Sequence, residues 1–212
     1  MTDDLIARLT DDLKPVARNA LIYRLAAVVL IGFVVAAPVM LAWLGLRPDL
    51  HDAMGSRIFW IKSGYTAGLG LAGIWAVERL GRPECSGRWP LTAAFALFLV
   101  AAAAAVADYA LAPAAARRAI LMGSSALVCP LYIMALSFPF FAVVMAFMRR
   151  LAPTELTLAG AAAGLLAGGL GAWVYSFHCT EGGLPFLAVW YSLGVLAVAL
   201  AGALLGRSLL RW

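Results

Sequence analysis

Charge is scarce in this sequence. Only 13% of its 212 residues are Asp, Glu, Lys or Arg, against 64% hydrophobic, and the mean hydropathy is +0.93. A soluble domain carries about a quarter charged residues, so a soluble enzyme is excluded and a multi-span membrane protein is indicated. Cysteine is scarce too, with three residues and no C-x-x-C or Cys/His finger spacing. That leaves neither a disulfide scaffold nor a zinc finger. No G-x-S-x-G, H-E-x-x-H, phosphate-binding or dinucleotide-binding glycine motif occurs. Missing as well are ionisable residues near the middle of the long apolar runs, which pumps and transporters need. The net charge of +5 comes without any Lys/Arg block interleaved with aromatics. The basic residues flank apolar runs instead, as topology signals do, and no direct nucleic-acid contact is expected.

What is present is a series of apolar runs of spanning length. They cover about Leu25–Leu46, Ile58–Val77, Trp89–Ala107, Leu127–Met148, Leu156–Phe177 and Pro185–Leu205. The segment 110–125, with Arg117 and Arg118, is expected to stay outside the hydrocarbon. The expected fold is all-α, an integral-membrane six-helix bundle over residues 21–212 that is preceded by a short segment, residues 1–20. Six spans put both termini on one side. With the N-terminus in the cytoplasm, that side holds Arg8, Lys14, Arg18, Arg24, Arg79, Arg82, Arg88, Arg149, Arg150, Arg207 and Arg211. The far side holds Arg47, Arg57, Lys62, Arg117 and Arg118. Positive charge favours the cytoplasmic face, so both termini are expected there.

Segment 1–20 reads as an amphipathic helix. Leu5, Leu9, Leu13 and Val16 form one stripe, widened by Ile6, and Pro15 ends the helix near Lys14. Helices that lie on membranes carry Lys/Arg on their polar face. This one carries Asp3, Asp4, Asp11 and Asp12, which anionic lipid repels, so a protein contact is expected. Within the spans, Gly160, Gly164 and Gly168 in the fifth and Gly64 and Gly68 in the second form small-residue rows that let helices approach closely. Lys62, a turn inside the second span, is expected to snorkel to the outer surface; pairing with an acid in the bundle is the alternative.

The same orientation sorts the reactive side chains. Cys85 falls in a cytoplasmic loop, Cys129 at the outer start of the fourth span, and Cys179 in the last outer loop. His51, His178, Asp49, Asp52, Asp108 and Glu181 are also outside. Three readings of the outer cysteines stand side by side. Each is a small buried hydrophobe, or the two pair as a thiol switch or disulfide in an oxidising compartment. The third is that Cys129, Cys179 and His178, with Glu181 beside them, hold a soft or borderline ion such as zinc or cadmium.

The order of short motifs carries a resemblance. They are the LIARLTDDLKPV head, Lys62, Arg82-Pro83 and Cys129-Pro130, then Arg149-Arg150-Leu151-Ala152-Pro153-Thr154 and finally YSFHCTEGGLPFLAVWY. In this order the chain resembles, over nearly its whole length, the NrsF family of membrane anti-sigma factors that negatively regulate sigma F. The resemblance implies a regulator and not an enzyme. It would sit in the bacterial inner membrane and hold an extracytoplasmic-function sigma factor until a heavy-metal or oxidative signal arrives outside. It further implies sensing at Cys129 and Cys179, with His178 and Glu181 adjacent. The sigma factor would be bound by the head through Leu5, Ile6, Leu9, Asp12, Leu13 and Val16. No cofactor is implied beyond a transient metal ion at the outer cysteines. A metal or small-solute transporter and a membrane thiol oxidoreductase are the competing classes; the missing midplane charge and the missing C-x-x-C weigh against them.

Overall fold

The computed structural model describes residues 19–82 and 87–211. The head residues Leu5, Ile6, Leu9, Asp12, Leu13 and Val16, and Cys85, lie outside them. The described residues form helices joined by turns, with no strand among them. Six helices are long: α1 (Ala20–Trp43), α3 (Arg57–Leu80), α4 (Arg88–Leu111), α6 (Cys129–Arg149), α7 (Leu156–Ser176) and α8 (Leu184–Leu209). Two are short, α2 (Leu50–Met54) and α5 (Ala114–Met122). The segment 110–125 holds the short helix α5.

Helix α7 is the centre of the bundle. From Ala159 to Ser176 nearly every residue is buried, and α7 packs along α8, α3 and α6. Glycine makes this possible on three sides at once. A methyl group added at Gly160 would meet the Gly202 carbonyl of α8, and one at Gly164 the Val198 carbonyl. One at Gly169 would strike the backbone of Gly70 in α3, and one at Gly171 would strike Ser137 in α6. Lipid tails are as apolar as leucine, so helices in a bilayer associate through packing of this kind rather than through a hydrophobic driving force. The row expected in α3 is displaced. Gly64 faces open space and Gly68 faces Leu97 of α4, while Gly70 and Gly73 make the backbone contact with α7. The shift follows from helical spacing, because Gly70 and Gly73 share the face of Thr66, Leu69 and Val77, which is the buried one.

Five of the long helices, α1, α4, α6, α7 and α8, are long and apolar enough to cross a membrane. Helix α3 has equal length but carries Lys62, Ser63, Tyr65 and Thr66, all turned into the protein. Its outward residues Trp60, Ile61, Leu71 and Trp75 are apolar and exposed. The polar residues near the start of α3 therefore lie on its inward face.

The connections gather at two ends. At one end the turns 44–56, 112–128 and 177–183 are hydrogen-bonded to one another. At the opposite end Gly81 lies against Leu151, Gly206 against Leu156, and the Arg207 guanidinium donates to Thr157 Oγ1 at 2.8 Å. Helix α1 starts at this second end, since its C-terminal Trp43 leads into the first group of turns.

The glycine contacts carry a direct test. Gly164→Ala is expected to destabilise the detergent-solubilised protein by about 1–3 kcal/mol, the usual cost of overpacking. Gly64→Ala has no neighbour within 4 Å and gains helix propensity, so its unfolding midpoint should stay level or rise. Equal losses at both positions in thermal unfolding would contradict the packing described for α7.

Candidate functional site

The segment from Phe177 to Gly183, which joins α7 to α8, cannot satisfy its own carbonyls because it is irregular. Neighbouring turns satisfy them. The Arg47 amide donates to the Phe177 carbonyl at 3.1 Å, and the Arg47 guanidinium donates to the Cys179 carbonyl at 3.2 Å. Lys62 Nζ donates to the same Cys179 carbonyl at 3.2 Å and to the Glu181 carbonyl at 2.5 Å. Lys62 is only 2% exposed, so it does not snorkel to the surface, and among the described residues its hydrogen-bond partners are carbonyls rather than carboxylates. Carbonyl oxygens left without water need donors, and a buried ammonium needs acceptors; each solves the other's problem. The ammonium also lies over the Tyr191 ring, 5.4 Å from its centre, a favourable cation–π position.

The side chains of the segment reach further turns. His178 donates Nδ1–H to the Gly45 carbonyl at 3.0 Å, since a carbonyl can only accept. The Glu181 carboxylate accepts from the Ser124 amide and the Ser124 hydroxyl, each at 2.7 Å, and from the Ser125 hydroxyl at 3.2 Å. Gly123 has φ +51°, and a side chain there would collide with the Glu181 carboxylate, so only glycine fits both the backbone and the space. Trp190, in the π turn Leu187–Tyr191 of α8, donates from Nε1 to the Leu121 carbonyl at 2.8 Å. Turns after α1, α5 and α7 are thereby tied into one layer.

Under this layer lie both cysteines of the described residues. They are free thiols, with Cys129 fully enclosed and Cys179 3% exposed. Cys129 is the first residue of α6 and Cys179 lies in the joining segment, yet the two thiols and the Tyr175 hydroxyl of α7 lie within electrostatic reach of one another. Tyr175 and Tyr191 pack ring to ring, 5.6 Å between centres. The polar residues of the layer are tuned by their partners. The hydrogen bonds that Arg47 donates to Asp49, opposed by burial, raise the guanidinium above its ordinary value, and the same bonds hold the Asp49 carboxyl low. Burial pushes the Glu181 carboxyl up, but the hydrogen bonds from Ser124 and Ser125 outweigh it and hold the group below the ordinary glutamate value.

Of the residues expected to sense a signal, Cys129 and Cys179 come together. His178 and Glu181 sit in the same layer but are committed to Gly45 and to Ser124 and Ser125. Among the described residues no three His, Cys, Asp or Glu side chains converge as metal ligands. Arg47, Gly123, Ser124 and Ser125 belong to the site but carried no sequence signal, because Arg-Pro-Asp and Gly-Ser-Ser read as ordinary turns.

Comparison with known proteins matches the family model described as "Negative regulator of sigma F" over residues 9–212. The chain belongs to the NrsF family. It is 43% identical to the anti-sigma-F factor NrsF of Caulobacter vibrioides over 212 residues, all of this chain and 99% of that one. It is 41% identical to the probable anti-sigma-F factor NrsF of Azospira oryzae over 213 residues, with the same coverage. No solved structure matches the chain. The relatives are regulators rather than enzymes, in line with the absence of catalytic motifs. In this NrsF family member the joining segment, residues 177–183, is bonded to the turns after α1 and α5 and to α3.

Glu181 makes the layer sensitive to acid. Its folded-state value is depressed, so its contribution is fully present above the ordinary glutamate value of 4.5 and is lost as pH falls below it. Glu181→Gln should flatten the acid limb of a stability-versus-pH curve in detergent while leaving neutral-pH folding intact. An unchanged acid limb would show that the Ser124 contacts do not hold the loop.

Proposed function

We propose that this protein spans the bacterial inner membrane six times with both termini in the cytoplasm. There it holds an extracytoplasmic-function sigma factor through its N-terminal head and releases it when Cys129 and Cys179 are modified from outside. The observation that carries the reading is the place of the two thiols. They meet against α7, the helix that packs on α3, α6 and α8 and runs from the thiol layer to the opposite end, where α1, which follows the head in sequence, begins. α3 counts as the sixth span because its exposed side is apolar and its polar side is buried. Exposed Trp43 and Trp60 near the thiol end, and Tyr23 and Trp89 near the other, match the aromatic belts of a membrane protein. The basic residues Arg79, Arg82, Arg149, Arg150 and Arg207 belong to the opposite end, which supports a cytoplasmic orientation for it.

The relatives' names, anti-sigma-F factor and probable anti-sigma-F factor, support a sigma factor as the partner. The acidic amphipathic head supplies a surface for it, with Leu5, Ile6, Leu9, Leu13 and Val16 as the apolar stripe and Asp12 beside them. The inducing chemistry is read as oxidation or soft-metal capture at the thiol pair, without a resident cofactor. Release requires only that the modified protein bind the sigma factor less tightly. A switch from almost fully bound to almost fully free needs a difference of about 10⁴-fold, roughly 5.5 kcal/mol. Co-purification of the detergent-solubilised protein tests the partner. A sigma factor should accompany the wild-type chain and be lost from Leu9→Asp. Retention of the sigma factor by Leu9→Asp would move the binding surface away from the head.

A further inference from the structure

Helix α4 packs along α3 and against the first turns of α8. Beyond those turns the space between α3, α4, α7 and α8 is a cavity of about 550 Å³, within the range of about 300–1,000 Å³ that small-molecule sites occupy. Its walls are almost wholly apolar. Phe95, Leu193 and Leu196 on its rim are exposed, so in the membrane orientation given above the cavity opens sideways into hydrocarbon. One polar feature interrupts the lining. The hydroxyls of Tyr65 and Ser192 lie 2.6 Å apart, and Tyr65 is only 4% exposed. Two hydroxyls carry two donors, and only one proton can lie on the bond between them. The other has no acceptor among the described residues, and a donor left so in an apolar site is costly.

Depth narrows what could accept that proton. Tyr65 stands eight residues after the first residue of α3 and Ser192 eight after the first of α8, so at a rise of about 1.5 Å per residue both lie about 12 Å in from the thiol end. That is inside a hydrocarbon layer of about 30 Å rather than at its boundary. A phospholipid reaching the pair would drag its charged head into hydrocarbon, which is expensive. A neutral head with a carbonyl acceptor and an apolar tail meets no such cost.

We propose that this cavity binds an isoprenoid quinone, with a ring carbonyl accepting the spare proton of the Tyr65–Ser192 pair and the tail leaving between α4 and α8. The proposal rests on the membrane reading given above. Tyr65, Phe95 and Phe98 give a flat ring aromatic surfaces to pack on, and the rest of the lining suits the tail. Ala188 and Val189 of the π turn also line the cavity. Tyr191 and Trp190 of the same turn reach Lys62 and Leu121. The occupant thus shares a wall with the turn on which the thiol layer rests.

The test uses the full-length protein extracted from bacterial membranes in detergent, a photoreactive azidoquinone, and peptide mass spectrometry. Label is expected on the α3, α4 and α8 peptides that border the cavity, and excess decylubiquinone should displace it. In Tyr65→Phe/Ser192→Ala the azidoquinone concentration for half-maximal labelling should rise about fivefold, as expected for loss of one hydrogen bond. Leu193→Trp should fill the mouth and abolish the label. Leu204→Trp, on the same helix outside the lining, should keep it; both replace exposed leucines, so folding should survive in each. Label that persists in Leu193→Trp, that ignores removal of the hydroxyls, or that phosphatidylglycerol displaces as well as decylubiquinone does would overturn the quinone site and leave the membrane reading intact. A chain recovered from the soluble fraction instead of the membranes would overturn both.

Discussion

The absence of a side chain at a few glycine positions along α7 is the constraint on which the rest of the molecule depends. Gly160 and Gly164 admit the backbone of α8, Gly169 that of α3, and Gly171 the Ser137 turn of α6. Any larger residue at these points would force one neighbour away. Because packing is what holds helices together in a bilayer, an apolar helix studded with glycine becomes the most buried element rather than the most mobile. Interfaces this close do not deform smoothly; they hold or they shift as units.

The polar end of the bundle depends on that placement. α7 ends in an irregular segment whose carbonyls would be unsatisfied, and in hydrocarbon such groups cost several kcal/mol each. Lys62 and Arg47 answer from α3 and the turn after α1, while Glu181 answers the amide of Ser124. One short segment is thus bonded to elements from three other parts of the chain, and both thiols sit beneath it. A chemical change at sulfur would be felt by α3 through Lys62, by α6 through Cys129, and by α7 itself.

Much of the architecture is legible in the sequence, because apolar runs of spanning length have few alternatives. The helices lie within a few residues of those runs, and the fifth-span glycine row packs as expected. The second-span row does not, because Gly64 and Gly70 are equally small and only the polar burial of Lys62, Ser63 and Thr66 decides which face turns inward. Lys62 itself was misleading for a related reason. A lysine near a span end usually snorkels, but here the carbonyls of Cys179 and Glu181 are nearer than water. The cysteine pair was legible from topology, since Cys129 and Cys179 both fall at one end. Their link through Tyr175, and the supporting turn at Gly123-Ser124-Ser125, depend on contacts between distant segments that local sequence does not encode.

In the proposed mechanism, events at the buried thiols govern the grip on a sigma factor at the far end. Its most direct measurement is the dissociation rate of the sigma factor from the full-length protein in lipid nanodiscs, before and after addition of peroxide or cadmium. Dissociation should accelerate in the wild-type complex and stay unchanged in the Cys129→Ser/Cys179→Ser double variant. Equal acceleration in the double variant, or none in the wild type, would contradict thiol control of release.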